Sequence, residues 1–138
     1  MSITLDGITL PADLEWTDEF TAWKVGQVAR TSLTGALIVH ESVRQAGRPI
    51  TLETTRDGQR WVAPVRLDML RALQASEEDP AAAPFSLILP AHNAGTRTFT
   101  CIWRREGGAA IEAHPIRFIT PFVDGDWFAV TLRLLQVD

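Results

Sequence analysis

The closing stretch, residues 126–137, constrains this chain more than any other segment. Phe128, Val130, Leu132 and Leu134 alternate with Ala129, Thr131 and Arg133. Successive strand residues point to opposite faces, so this run predicts a strand with one apolar face. Three more strand-like runs precede it, at 85–89, 96–104 and 110–119. The last third of the chain therefore reads as four strands, and no reactive constellation lies among them. Sequence allocated in this way builds a scaffold, which points toward assembly rather than turnover.

The N-terminal residues carry an equally local signal. Ile3-Thr4-Leu5 and Ile8-Thr9-Leu10 flank Asp6-Gly7. Asp-Gly between alternating apolar residues predicts a two-residue hairpin, because the turn needs positive φ at both central positions. Pro11 ends the second strand, having no N–H to give to a ladder. Leu14-Glu15-Trp16 reads as a short strand or an extended entry, and residues 25–31 and 35–41 as two further strands. Ala36-Leu37-Ile38-Val39 is a continuous apolar run, which predicts burial on both faces. Residues 50–54 alternate as a strand, Arg56-Asp57-Gly58-Gln59 reads as a turn, and Arg60-Trp61-Val62 as a short strand.

One helix is expected, over about residues 64–75. Val62, Val65, Met69, Leu70 and Leu73 fall at helical spacing, with Arg66, Asp68, Arg71 and Gln74 on the other side. Pro64 suits a first turn, where its missing N–H costs nothing. The helix should stop near Ala75-Ser76, because Glu77-Glu78-Asp79 would bring negative charge to its C-terminus. Residues 80–84 form a short Ala/Pro connection, and 91–95 and 105–108 read as hairpin loops. The sum is eight or nine short strands and one inserted helix. That predicts a mainly β fold, an antiparallel β-sandwich or partly open barrel, as a single domain over residues 1–138.

Composition excludes several functions. The formal charge of −4 and the scattered placement of 13 Lys+Arg argue against sequence-specific nucleic-acid binding. Cys101 is the only cysteine, so neither an intrachain disulfide nor a cysteine zinc site is expected. His40, His92 and His114 share no metal-ligand spacing, and Asp124-Gly125-Asp126 reads as a turn before the last strand rather than a calcium loop. No Gly-x-Ser-x-Gly elbow or phosphate loop is present. The carboxylate pairs Glu106/Glu112 and Glu15/Glu19 have nothing to set them across a cleft. The chain is accordingly read as no enzyme, with no cofactor and no metal. No run approaches the ~20 apolar residues of a membrane span, and the first residues do not read as a signal peptide. Synthesis in the cytoplasm follows as the expectation.

Three residues stand out as interface candidates. Five tryptophans with no tyrosine is an unusual aromatic set. Large aromatics dominate both cores and interfaces, and Trp16 and Trp23 are the candidates to fill pockets on a partner. Gly47-Arg48-Pro49 reads first as a turn with a rigid φ that starts a strand, and alternatively as a segment that holds Arg48 in a fixed pose at a subunit contact.

The phrases Leu5-Asp6-Gly7-Ile8-Thr9-Leu10-Pro11, Thr34-Gly35-Ala36-Leu37-Ile38-Val39 and Gly47-Arg48-Pro49-Ile50-Thr51-Leu52, in that order, resemble those of small tail proteins of long-tailed phages and prophages. The helix near 65–73, the strand 85–89 and the closing Gly125-Asp126-Trp127-Phe128-Ala129-Val130-Thr131-Leu132 continue the likeness. The layout is similar to the distal tail and minor tail proteins. The resemblance implies a β-rich virion subunit that forms a ring, a hexamer favoured, between the tail tube and the tip or baseplate hub. Distal tail proteins commonly carry a second, sometimes sugar-binding, domain. None is seen within residues 1–138, so the joining role is favoured over adsorption. A ring needs heterologous contacts that close. The hairpin at 3–10 offers an edge for a neighbour's sheet. The alternative reading is a carbohydrate-binding β-sandwich that aids host adsorption, with exposed tryptophans stacking on sugar rings.

Overall fold

A computed structural model describes residues 3–44, 47–79, 84–91, 95–106, 108–116, 123 and 125–137. The element order is β1 (Ile3–Leu5), β2 (Ile8–Leu10), β3 (Glu15–Trp16), β4 (Val25–Thr31), β5 (Leu37–Val43), β6 (Pro49–Glu53), β7 (Thr55–Asp57), β8 (Arg60–Val62), β9 (Val65–Arg66), α1 (Leu67–Glu78), β10 (Phe85–Pro90), β11 (Thr96–Trp103), β12 (Ile111–Pro115) and β13 (Trp127–Gln136). The fold is mainly β and antiparallel, sandwich-like with one helix, as the alternation predicts. Nine strands make one sheet that runs β2-β1-β10-β11-β13-β6-β3 without closing into a barrel, with β9 and β12 also paired to β13. Among the expected features, residues 45–46, 80–83, 92–94 with His92, Gly107, 117–119 and Asp124 lie outside the described residues.

The ten-residue β13 is the spine. On one edge it pairs first with β12 and then with β11; on the other, first with β9 and then with β6. Phe128, Val130, Leu132 and Leu134 are buried, so the predicted apolar face is the core face. Between β9 and β6 the ladder is interrupted, and Thr54 fills the gap. Its hydroxyl donates to the Ala63 carbonyl at 3.0 Å and accepts from the Val130 N–H at 3.2 Å. Thr54 is the one buried polar side chain among the described residues, and both roles of its hydroxyl are used, as burial requires.

The Asp6-Gly7 hairpin forms as predicted, with φ of 50° and 77° and Ile3 opposite Leu10. β1 is committed to β10 of its own chain, which leaves β2 as the sheet's end. The helix is displaced from its expected span. It begins at Leu67 because Ala63 turns the chain with φ 59° and Val65–Arg66 then pair with β13. Val62 and Val65, which fall at helical spacing in the sequence, are strand residues; Leu67, Leu70 and Leu73 form the buried stripe instead. The helix also runs past Ser76 to Glu78. Arg105 explains this: it pairs with the Glu77 carboxylate at 2.9 Å and donates to the Glu77 carbonyl. The cation that the last turn lacks is thus supplied from the β11–β12 connection. The expected turn at 56–59 is tighter than predicted, since Arg56 and Asp57 belong to β7 and Gly58-Gln59 alone make the reversal.

One expectation is overturned. The run 36–39 is not buried. β4 and β5 pair only with each other, and Leu37 is 69% exposed. No side chain of either strand is buried; Val25, Val28, Val39 and Val43 all meet solvent. The two strands form a separate ribbon, called the arm below. A ribbon of two strands gives an apolar residue no third layer to pack against, whatever its local sequence.

Candidate functional site

The arm is closed at both ends. At its tip Ser32 N–H donates to the Ala36 carbonyl at 2.8 Å and Gly35 N–H to the Ser32 carbonyl at 3.0 Å, with Gly35 at φ 86°. The Ser32 hydroxyl adds a bond from the Ala36 N–H at 3.1 Å. At its root Arg44 N–H donates to the Lys24 carbonyl at 2.6 Å. The hairpin is therefore closed by its own bonds, and nothing among the described residues covers it.

Below the root, the segments entering and leaving the arm are clamped to the sheet. Trp16 ends β3 on the entering side, and Arg48 precedes β6 on the returning side. The Arg48 guanidinium stands 4.6 Å from the centroid of the Trp16 ring, and Arg97 of β11 stands 5.0 Å from it. Phe99 meets the same ring edge-on, at 5.6 Å and 79°. Cation–π contacts contribute about 0.5–2 kcal/mol, more as water is excluded. Arg48 also donates to the Glu19 carbonyl at 2.6 Å, and Arg97 pairs with the Glu19 carboxylate at 2.9 Å, where Glu19 is only 13% exposed. Asp18 accepts from both the N–H and the hydroxyl of Thr51, and Arg104 donates to the same hydroxyl at 3.0 Å. Arg48 itself is pinned through its backbone. Gln136 N–H donates to its carbonyl at 2.9 Å, and Gly47 N–H, at φ 97°, donates to the Gln136 carbonyl at 2.8 Å.

Two of the three sequence candidates, Trp16 and Arg48, are thus brought into direct contact. Trp23 is half-buried beside the root and does not join the stack. Arg97 is the member that the sequence reading missed. Its signal was present: Arg97, Phe99, Cys101 and Trp103 share one phase of β11, so a charged residue stands in line with the core. Three donors at the stack, Trp16 Nε1, Arg48 Nε and Arg97 Nε, make no hydrogen bond. The stack therefore holds by ring contact and by the Glu19 bonds, offset by the desolvation of those N–H groups. Trp16→Ala should lower stability by about 2 kcal/mol, below the ~3–5 of a fully buried tryptophan. Trp16→Phe keeps the ring and removes an unpartnered N–H, so it should stay within ~1 kcal/mol of the native chain. Urea denaturation of both variants checks this contrast.

The chemistry available elsewhere is static. Burial pushes the Cys101 thiol up to about 12, so it remains protonated and unreactive. The Glu112 carboxyl is held below its ordinary value by the hydrogen bond from Arg133 at 3.1 Å and by that group's charge. Among the described residues no three His, Cys, Asp or Glu side chains gather as a metal site, and no helix is long and apolar enough to cross a membrane. A hollow of about 160 Å³ adjoins Trp16, Glu19 and Arg97. Small-molecule clefts usually span ~300–1,000 Å³. A wider one of about 410 Å³ lies by the end of α1, where Arg105 is already paired with Glu77.

What the arrangement can do is hold an exposed, partly apolar ribbon in a fixed pose relative to a rigid sheet. In comparisons with known proteins, no family model, no curated protein and no solved structure matches the chain.

Proposed function

We propose that this chain is a structural virion protein, a ring-forming subunit at the distal end of a phage tail that joins the tail tube to the tip or baseplate hub. The observation that carries the reading is the arm. An isolated two-stranded hairpin is marginal in water, and exposed apolar side chains on a preformed ribbon are a contact surface rather than a core. The clamp at Trp16 and Arg48 supports the same reading, because a surface that joins copies must be held at a fixed angle to each. The likeness to distal and minor tail proteins supplies the setting: the virion tail, with tail-tube and hub proteins as neighbours and a hexamer as the favoured ring. Trp16, which a sugar-binding role would need free, has guanidinium groups over its ring.

The test is the state of assembly. The purified chain is examined by light scattering and negative-stain microscopy, alone and with tail-tube protein. Rings, formed alone or on the ends of tubes, are the expected result. A chain that stays monomeric in both settings would overturn the proposal.

A further inference from the structure

The two faces of the arm differ. Residues directly opposite across a ladder share a face. Val25 with Val43, Ala29 with Val39 and Thr31 with Leu37 make one face, interrupted by the Gln27–Glu41 hydrogen bond of 2.6 Å. Val28 with His40 and Arg30 with Ile38 lie on the other, and the Arg44 side chain lies over Gly26 on that same side. Residues 24–44 carry three cations, Lys24, Arg30 and Arg44, against Glu41 alone, a net charge of +2. The other ten basic and sixteen acidic residues leave the rest of the chain at −6. None of the three arm cations has an ion pair or side-chain hydrogen bond among the described residues.

An unpaired acidic surface matches them. β3 is the end strand of the sheet, and there Glu15 stands directly opposite Glu53 of β6. Like charges in this position repel and weaken the pair of strands. Neither carboxylate has a cation partner among the described residues. The sheet end is therefore a place where a foreign cation gains twice: it forms a pair and it relieves a repulsion.

We propose that the arm of one copy seats on the β3–β6 end of the next copy's sheet, with Arg30 and Arg44 set against Glu15 and Glu53. The occupant is a second copy because the arm and the rest of the chain are opposite in charge. Donor and acceptor surfaces are different patches of the same molecule, so the contact is heterologous, the type that closes into rings. The inference rests on the ring-forming reading above and specifies its interface.

Charge exchange tests it on the full-length chain, under conditions in which the native chain assembles. Arg30→Glu with Arg44→Glu, and separately Glu15→Arg with Glu53→Arg, should each weaken self-association by about tenfold or more, read by mass photometry across a dilution series. Combining the four reversals should restore association to within about threefold of native. Glu15→Gln with Glu53→Gln serves where a reversal disturbs folding, with circular dichroism as the check. It removes the acceptor charge without adding bulk, and it should weaken association as well. Variants that assemble like the native chain, or a combined variant with no recovery, would overturn this interface while leaving the ring reading intact. A native chain that never self-associates overturns both.

Discussion

Leu132→Ala should cost about 4 kcal/mol, toward the upper end of the ~2–5 seen for buried leucines. Leu132 is fully buried, and β13 is paired on both edges there, opposite Leu52 of β6 and Ile111 of β12. Three strands therefore frame the cavity that the change would leave. Their backbones are tied by ladders and cannot collapse into it, so the cavity term adds almost in full to the lost transfer energy. A domain of this size has a total stability of about 5–15 kcal/mol, so one side chain carries a large share of it. The midpoint of thermal unfolding should fall by roughly 10–20 °C. Val137→Ala, at the exposed end of the same segment, is the control and should shift the midpoint by no more than ~2 °C. Calorimetry on the two variants separates burial from strand propensity. Equal small shifts would mean that β13 is not the spine.

Much of this core was legible because its signals are local. The alternation of residues 128–134 assigns a face to each side chain, and Asp6-Gly7 specifies its turn through two positive φ values. The helix was found by its period but misplaced by three residues at each end, and both errors have non-local causes. Val65 is claimed by β13, over sixty residues away in sequence, and the acidic C-terminus is tolerated because Arg105 arrives from another connection. The run 36–39 shows the same limit more sharply. An apolar stretch states a preference for burial, but only the tertiary arrangement supplies a cover, and among the described residues none forms. β4 held a warning: Val25, Gly26, Gln27, Val28, Ala29, Arg30 and Thr31 give neither face a continuous apolar row. A strand without a core face has no core to join. The site follows this pattern. Arg48 stood out through Gly47 and Pro49, whereas nothing near residue 97 in sequence pairs it with Trp16.

Backbone amides of the arm should exchange with solvent at least a thousandfold faster than those of β13, in dilute solution where the chain is monomeric. Two opening reactions set the two rates. An amide in the middle of β13 is flanked by strands on both edges and lies over the buried face, so its exchange requires global or near-global unfolding, about 5–15 kcal/mol. An amide of β4 or β5 is released when one ribbon opens, and nothing but its own ladder and tip turn opposes that. A hairpin without a third strand has a stability near zero, so its opening costs no more than about 1 kcal/mol. The difference, about 4–14 kcal/mol, reaches or exceeds the ~4 kcal/mol that a thousandfold ratio requires. The boundary between the two regimes should fall at the root, where Arg44 N–H meets the Lys24 carbonyl and the Trp16–Arg48 contact begins. Peptides covering 25–43 and 127–136, followed by mass spectrometry over seconds to hours, give the ratio directly. On assembly the arm peptides should slow by a factor of ten or more while those of β13 stay unchanged, because a ribbon seated on a neighbour must leave it before it can open. Slow exchange of the arm in the monomer would mean that it packs against its own sheet, and the free surface invoked for assembly would not exist.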